Sequence, residues 1–563
     1  MTAAGIIQLD HVEFRYPNSS HPVLHDVTLA IPEGELCLVI GPTGSGKSTL
    51  LQLVNGLAPH FTGGQLTGTV TVDGRDTRLH PPRDLADLVG AVGQDPVAGF
   101  VTGRVDDELA YGMEQLGLPD SVMRTRIEEV VDLIGLEAVR HRPLSELSAG
   151  EQQRVAIASV LTSHPRILVL DEPTSALDPT GAEEVLAAIL RLVHDLGITV
   201  LMAEQRLERV IQYADSMVRV GDDGAAHSGS PAAILEGSPL APPIVELSRL
   251  AAWESQPRSI RDARRLAGPL RDRLRESLSL QSAGPTSGAD GSVALRTEGL
   301  RVRYGAVHAL AGVDITLRAG ELAAVMGRNG SGKSSLLWAL QGSGVRSGGT
   351  VLVYDTTLDS GAQVSTRPGR RQAGVDPRTL APDEAIRRIA LVPQNPSDLL
   401  YLDSVLAECR AADRAAGAAE GTAATLLDRL APGLPESRHP RDLSEGERLA
   451  LVLAVQLAGQ PAILLLDEPT RGLDYDAKRR LGEVLKELAA IGTAVLLSSH
   501  DVEFVARTAD RVLVLARGEL LTDGPAQEVL TASPSFAPQV AKILRPLPLL
   551  TVDAVRAALV EGK

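Results

Sequence analysis

Short aliphatic runs without polar interruption punctuate this chain: Leu36–Ile40, Ile167-Leu168-Val169-Leu170, Leu322–Met326 and Ile463-Leu464-Leu465-Leu466. Such runs, bounded by turn residues, predict strands buried on both faces, as in a parallel sheet covered by helices. Alternating stretches, Ile7-Gln8-Leu9 and Val293-Ala294-Leu295, predict a half-buried strand at the head of each half. Turns at Pro32-Glu33-Gly34 and Arg318-Ala319-Gly320 feed the runs beginning at Leu36 and Leu322, and helical patterns over 49–57 and 335–340 come after them. The same succession therefore appears twice, over about 6–221 and again over about 293–518.

Polar segments attached to these runs also occur twice. Gly41-Pro42-Thr43-Gly44-Ser45-Gly46-Lys47-Ser48 and Gly327-Arg328-Asn329-Gly330-Ser331-Gly332-Lys333-Ser334 each lie between a strand and a helix, the context in which such a loop cradles phosphate. Glycines let backbone N–H groups close around phosphate oxygens, and the helix N-terminus adds positive dipole. Lys47 and Lys333 suit β/γ-phosphate charge, Ser48 and Ser334 suit magnesium, and Thr49 and Ser335 continue the same turn. Asp171 and Asp467 close aliphatic runs and are placed to hold that magnesium; Glu172 and Glu468 follow and are placed to polarise an attacking water. Leu147-Ser148-Ala149-Gly150-Glu151 and Leu443-Ser444-Glu445-Gly446-Glu447 complete each set, and the spacing is constant, with 444 − 148 = 296 and 467 − 171 = 296.

These residues jointly resemble the ATP-binding cassette (ABC) family over about four-fifths of the chain. The resemblance implies an α/β fold of two P-loop NTPase cassettes, each with a RecA-like core sheet, an antiparallel β subdomain and an α-helical subdomain. It implies domains at 6–235 and 293–532, joined by a linker at 236–292 and followed by an extension at 533–563. By the same resemblance Tyr16 and Tyr304 stack on adenine, Gln94 and Gln394 sense magnesium, and Ser148, Gly150, Ser444 and Gly446 cap ATP held by the opposite cassette. Two ATP molecules would be sandwiched between head-to-tail cassettes, with ATP and Mg2+ as cofactors. Ser175-Ala176-Leu177-Asp178 and Arg471-Gly472-Leu473-Asp474 match the loop that passes between them.

The two copies are not equal. Ser498-Ser499-His500-Asp501 places His500 where the family has a switch histidine, whereas Ala203-Glu204-Gln205-Arg206 places Gln205 there. A glutamine donates a hydrogen bond but carries no positive charge, so the site built around Glu468 is expected to turn over faster than that built around Glu172. In the second signature Arg448-Leu449-Ala450 replaces Gln152-Gln153-Arg154.

Composition narrows the class. The chain has 563 residues, net charge −16, 2% aromatic residues and two cysteines. Acidity argues against tracking a phosphate backbone, and few aromatics leave little for base stacking. No apolar run approaches the ~18 residues of a membrane span, no signal peptide is legible, and Cys37 and Cys409 suit a reducing compartment. An arginine-rich stretch at 257–280 predicts a solvated helix, and 281–288 a flexible linker. Extra length between Lys333 and Gln394, 61 positions against 47 between Lys47 and Gln94, is expected in a loop at 365–382. The segment from 533 carries no legible motif.

Gln94-Asp95-Pro96-Val97-Ala98-Gly99-Phe100-Val101-Thr102 and Val105-Asp106-Asp107-Glu108-Leu109-Ala110-Tyr111-Gly112 are similar to ATPase subunits of energy-coupling factor importers. Pro393-Gln394-Asn395-Pro396-Ser397-Asp398-Leu399-Leu400 is related, but the second copy lacks a clean counterpart to 107–112. That resemblance implies an ATPase at the cytoplasmic face of the membrane, bound to integral-membrane scaffold and substrate-binding subunits, with no nucleic-acid partner. Its cargo would be a vitamin, a vitamin precursor or a transition-metal ion. Duplicated ATPases of sugar importers and ribosome-associated translation factors remain alternatives.

Overall fold

The computed structural model describes residues 5–17, 19–280, 291–355 and 374–561. The segment 281–288 and residues 365–373 of the expected loop lie outside the described residues. The chain divides into two compact units, Met1–Ser259 and Ile260–Lys563.

Each unit is built on a six-stranded sheet of the same order. In the first it runs Ala226–Gly229, Ser216–Val220, Leu36–Ile40, Thr199–Ala203, Ile167–Asp171, Val89–Val92. In the second the corresponding strands are Glu519–Pro525, Arg511–Ala516, Leu322–Met326, Ala494–Ser498, Ile463–Asp467 and Ile389–Val392. All neighbours pair in parallel except the hairpin at one edge. Leu36–Ile40 and Leu322–Met326 are buried at every position, as expected for central strands covered on both faces.

An antiparallel sheet packs beside each core. The first is ordered Leu24–Ile31, Ile7–Arg15, Gln65–Val72, Arg75–Asp76; the second centres on Val293–Tyr304, which pairs Val307–Val313, Thr316–Arg318 and Gly348–Val353. Helical layers complete the units: Val105–Gln115, Asp120–Ile134 and Ala149–Leu161 in the first, Val405–Ala416, Thr422–Leu430 and Glu445–Leu457 in the second. The three-part α/β cassette anticipated from the motifs is thus present in both units.

The arginine-rich stretch differs from a merely solvated helix. It forms two helices, Ile260–Leu266 and Gly268–Leu280, on which Ala263, Ala267, Leu270, Leu274 and Ser277 are buried. That spacing puts one apolar stripe opposite the arginines. The stripe packs on Gln539–Leu544 and Val552–Glu561, where the Ser277 hydroxyl donates to the Ala558 carbonyl. The segment beyond 533 therefore contributes two packed helices, Gln539–Leu544 and Val552–Glu561. It also continues the internal repeat, because Ala537-Pro538 stands 296 positions after Ala241-Pro242, each pair leading into a helix.

Candidate nucleotide-hydrolysis sites

The glycine-rich loops occupy the ends of the central strands. Gly46 and Gly332 sit at φ 103° and 105°, left-handed values that an L side chain resists, and start the helices Lys47–Val54 and Lys333–Gln341. A Cβ on Gly41 would lie 2.4 Å from the Val220 carbonyl oxygen, and one on Gly327 2.3 Å from that of Leu515. Only glycine lets these loops approach the neighbouring strand. Lys47 Nζ donates to the carbonyls of Gly41 (2.9 Å) and Pro42 (2.7 Å), and Lys333 Nζ to those of Gly327 (2.8 Å) and Arg328 (3.2 Å). Both lysines are buried, each ammonium held on two backbone carbonyls of its loop. The hydroxyls of Ser45 and Ser331 are buried in the same loops without a hydrogen-bond partner among the described residues.

The carboxylates come from the ends of Ile167–Asp171 and Ile463–Asp467. Burial pushes the Asp171 and Asp467 carboxyls up from their ordinary value, opposed by a hydrogen bond from Ser48 at Asp171 and by hydrogen bonds from Ser498 and Ser334 at Asp467. Glu172 and Glu468 have φ of 50° and 52°, a strained choice for a non-glycine residue, which turns each side chain off its strand end. The Glu172 carboxyl is pushed up to about 8, first by burial and then by the charges of Glu204 and Asp171.

Around these glutamates the units diverge. Glu468 Oε2 lies 2.6 Å from His500 Nδ1 and accepts from the His500 backbone N–H at 3.2 Å, while its Oε1 is 3.9 Å from Lys333 Nζ. Glu172 instead accepts from the Gln205 amide, and from Gln94 Nε2 at 3.5 Å. Beside it Glu204, 1% exposed, accepts from the Thr174 hydroxyl and from the backbone N–H groups of Gln205 (3.0 Å) and Arg206 (3.1 Å). The second unit has Ser499 at the position of Glu204, so this extra buried carboxylate belongs to the first unit. Its proximity to Glu172 was not legible in sequence, since the two lie 32 positions apart, just beyond the ends of different strands.

Of the remaining expected residues, Tyr16 is held by its hydroxyl at 3.0 Å from Thr49 Oγ1 and 3.3 Å from Gln52 Oε1, edge-on to Phe14. Tyr304 is 48% exposed at the tip of its hairpin, and Gln394 is exposed at the end of Ile389–Val392. Ser148 and Ser444 N-cap the signature helices, and Glu151 and Glu447 return the bond to the cap N–H at 2.8 and 2.7 Å. The spacing Ser-x-x-Glu was the signal for this reciprocal cap. Glu445, inside the second signature, pairs with Arg471 at 3.4 Å.

The structure also supplies the counterpart that sequence comparison lacked for 107–112. Glu108 is buried and accepts from the backbone N–H groups of Val101 (3.1 Å) and Thr102 (2.8 Å); Glu408 is buried and accepts likewise from Leu402 (2.6 Å) and Tyr401. Each glutamate ties the loop after Gln94 or Gln394 to the first helix of its helical layer. Glu408 is hard to recognise because Cys409-Arg410 follows it where Leu109-Ala110 follows Glu108.

Comparison with known proteins agrees with this arrangement. The family profile described as ABC transporter matches residues 24–175 and 310–471. An ABC transporter ATP-binding protein of Streptomyces avermitilis is 53% identical over 580 aligned positions, covering 98% of this chain and 100% of that protein. One of Methanosarcina mazei is 34% identical, covering 97% and 92%. Among solved structures, an archaeal ribosome recycling factor in complex with a ribosomal stalk protein covers 92% of this chain and 91% of its own at a TM-score of 0.58 and 21% identity, a likeness of fold. Two cassettes, each with phosphate loop, strand-end carboxylates and capped signature helix, and relatives matched over almost their whole length make this chain an ATPase of the ABC transporter ATP-binding family.

Proposed function

We propose that this chain is the energy-coupling subunit of an energy-coupling factor type importer, hydrolysing ATP to drive uptake of a vitamin, a vitamin precursor or a transition-metal ion through separate membrane subunits. The observation that carries this reading is the anchored loop in each unit. Glu108 and Glu408 fasten 101–102 and 401–402 to the helical layer, while Val101 and Tyr401 remain 61% and 78% exposed. In the second unit a groove lined by Ser397, Leu400, Tyr401, Leu402, Asp403 and His439 lies at this loop. Exposed apolar side chains on a pinned loop, next to the glutamine that follows the edge strand, suit the docking of a partner's helix. No helix among the described residues is long and apolar enough to cross a membrane. In this reading the membrane path belongs to the partners, and the chain sits on the cytoplasmic face through them.

The geometry supports the following catalytic roles. Lys47 and Lys333, curled onto loop carbonyls, exchange those acceptors for phosphate oxygens when ATP enters, and the loop N–H groups supply the remaining donors. Ser48 with Asp171, and Ser334 with Asp467, offer the hard oxygen donors that magnesium prefers, and burial pushes both carboxyls above their ordinary value. Magnesium bound by these residues would neutralise charge on the phosphates, with Gln94 and Gln394 as further candidate oxygen donors. Glu172 and Glu468 orient and polarise water, while Gln205 and His500 donate toward the γ-phosphate. Binding and release then move the helical layer through the anchored loops.

The test is affinity purification of the tagged chain from detergent-solubilised membranes, followed by reconstitution of the purified assembly in lipid vesicles. Integral-membrane subunits should co-purify, and the vesicles should take up a labelled vitamin, Co2+ or Ni2+ only with ATP inside or outside to match the chain. Val101→Asp with Tyr401→Asp should release the chain from its membrane partners. Co-sedimentation with ribosomes in place of membrane subunits would refute the importer reading.

A further inference from the structure

The second unit contains a largely buried ion pair outside the groups assigned so far. Lys478 Nζ lies 2.7 Å from Asp501 Oδ2, with side chains 12% and 3% exposed. Lys478 stands on the first turns of Tyr475–Ala490, the helix N-capped by Asp474 at the end of Arg471-Gly472-Leu473-Asp474. Its backbone N–H donates to the Asp474 carbonyl at 2.9 Å, and its ammonium lies 5.8 Å from the Tyr475 ring centre. Asp501 directly follows His500. One of its oxygens caps Val502–Thr508 by accepting from Phe504 N–H at 3.0 Å, and its own N–H donates to Ser499 Oγ at 3.0 Å. His500 is therefore clamped between Ser499 and a residue fixed on both carboxylate oxygens, with its ring 2.6 Å from Glu468.

The two anchors close a loop of contacts. From Glu468 the chain passes through 471–474 to the helix bearing Lys478, crosses the ion pair to Asp501, and returns through His500 to Glu468. Such a pair favours one geometry, because Asp501 alone would be left as an uncompensated buried charge. The first unit is built otherwise. Ala182 occupies the place of Lys478, 296 positions earlier, and Arg206 the place of Asp501, 295 positions earlier as Gln205 is to His500. There the switch segment reaches the corresponding loop through Arg209, whose guanidinium donates to the carbonyls of Thr174 (3.2 Å) and Leu177 (3.4 Å). The unit with the histidine has the charged clamp, and the unit with the glutamine lacks it.

We infer that Lys478 is a positioning residue for ATP hydrolysis in the second unit: by holding Asp501 it sets His500 against Glu468 and ties that contact to the 471–474 loop. Lys478 acts on the reaction through Asp501 and His500, the residues that its ammonium holds in place.

The test uses the full chain in a Glu172→Gln background, so that hydrolysis reports the second unit. Lys478→Met is expected to lower kcat about 10-fold or more with KM for ATP changed less than about twofold, because the phosphate loop is untouched. Lys478→Arg should recover at least about half of the lost rate, as the charge and reach are kept. In a His500→Ala background Lys478→Met should have less than about a twofold further effect, the non-additivity expected of residues acting as one device. Asp501→Asn keeps a capping acceptor for the helix while removing the charge partner, and should reproduce the loss of kcat; it carries the test if the methionine variant melts near the assay temperature. An equal fractional loss with and without His500, a rise in KM at unchanged kcat, or full activity of Asp501→Asn would each overturn the assignment.

Discussion

Replacing the two water-polarising glutamates one at a time should expose a large inequality between the units. At the switch position of the first unit Gln205 donates without the positive charge that His500 can carry, and loss of one preorganised charged contact at a developing charge costs on the order of 100-fold in rate. It also carries Glu204 beside Glu172, and with the Glu172 carboxyl near 8 only roughly one molecule in four has the ionised base at pH 7.5. Together these place its turnover roughly 400-fold below a site with a histidine and an ionised carboxylate. The assay is steady-state phosphate release at saturating ATP and magnesium. Glu172→Gln should keep about nine-tenths of the wild-type rate or more, and Glu468→Gln should fall to about one hundredth or less. The residual rate of Glu468→Gln should climb about tenfold from pH 7 to pH 9, because the base acts when deprotonated and its ionised fraction rises through pH 8. Equal losses from the two substitutions would refute the reasoning, and a flat pH profile would remove Glu204 from it.

Other outcomes follow from single contacts. In a Glu468→Gln background Gln205→His should raise the residual rate about 10-fold or more, seen in the same phosphate assay, since the imidazole restores a chargeable donor beside Glu172. Glu172 sits above its ordinary value of 4.5, so the fold favours its protonated form: that contribution is complete below about pH 4.5 and is lost as pH rises through about 8. Urea denaturation should therefore show the wild type losing stability over this window, by at most on the order of 5 kcal/mol, with a smaller loss in Glu172→Gln. Ser444→Ala removes the N-cap of Glu445–Leu457 and should cost about 1 kcal/mol in the same measurement. Gly327→Ala forces a Cβ to 2.3 Å from the Leu515 carbonyl oxygen, so the loop must shift, and equilibrium dialysis should show ATP binding to the second unit weakened about 10-fold or more.

Much of this protein was written locally. Phosphate loops, strand-end carboxylates and signature serines are contiguous segments whose chemistry depends on neighbours within a few residues, so they pointed to Lys47, Asp171, Glu172 and their counterparts in the second copy as candidates, and the family resemblance they carry implied two cassettes. The unbroken aliphatic runs announced the central strands because burial on both faces forbids polar interruption. Contacts across strands and helices were decided by the tertiary structure. Glu204 comes beside Glu172, Glu408 takes the place of Glu108 without its surrounding sequence, and Lys478 finds Asp501 at a separation of 23 residues. The arginine-rich helices were misjudged for the same reason: their charges are conspicuous in sequence, while the stripe of Ala263, Ala267, Leu270 and Leu274 gains meaning only once Gln539–Leu544 and Val552–Glu561 cover it. Periodicity and motif are properties of a segment, whereas the electrostatic environment of a buried carboxylate is a property of everything folded around it.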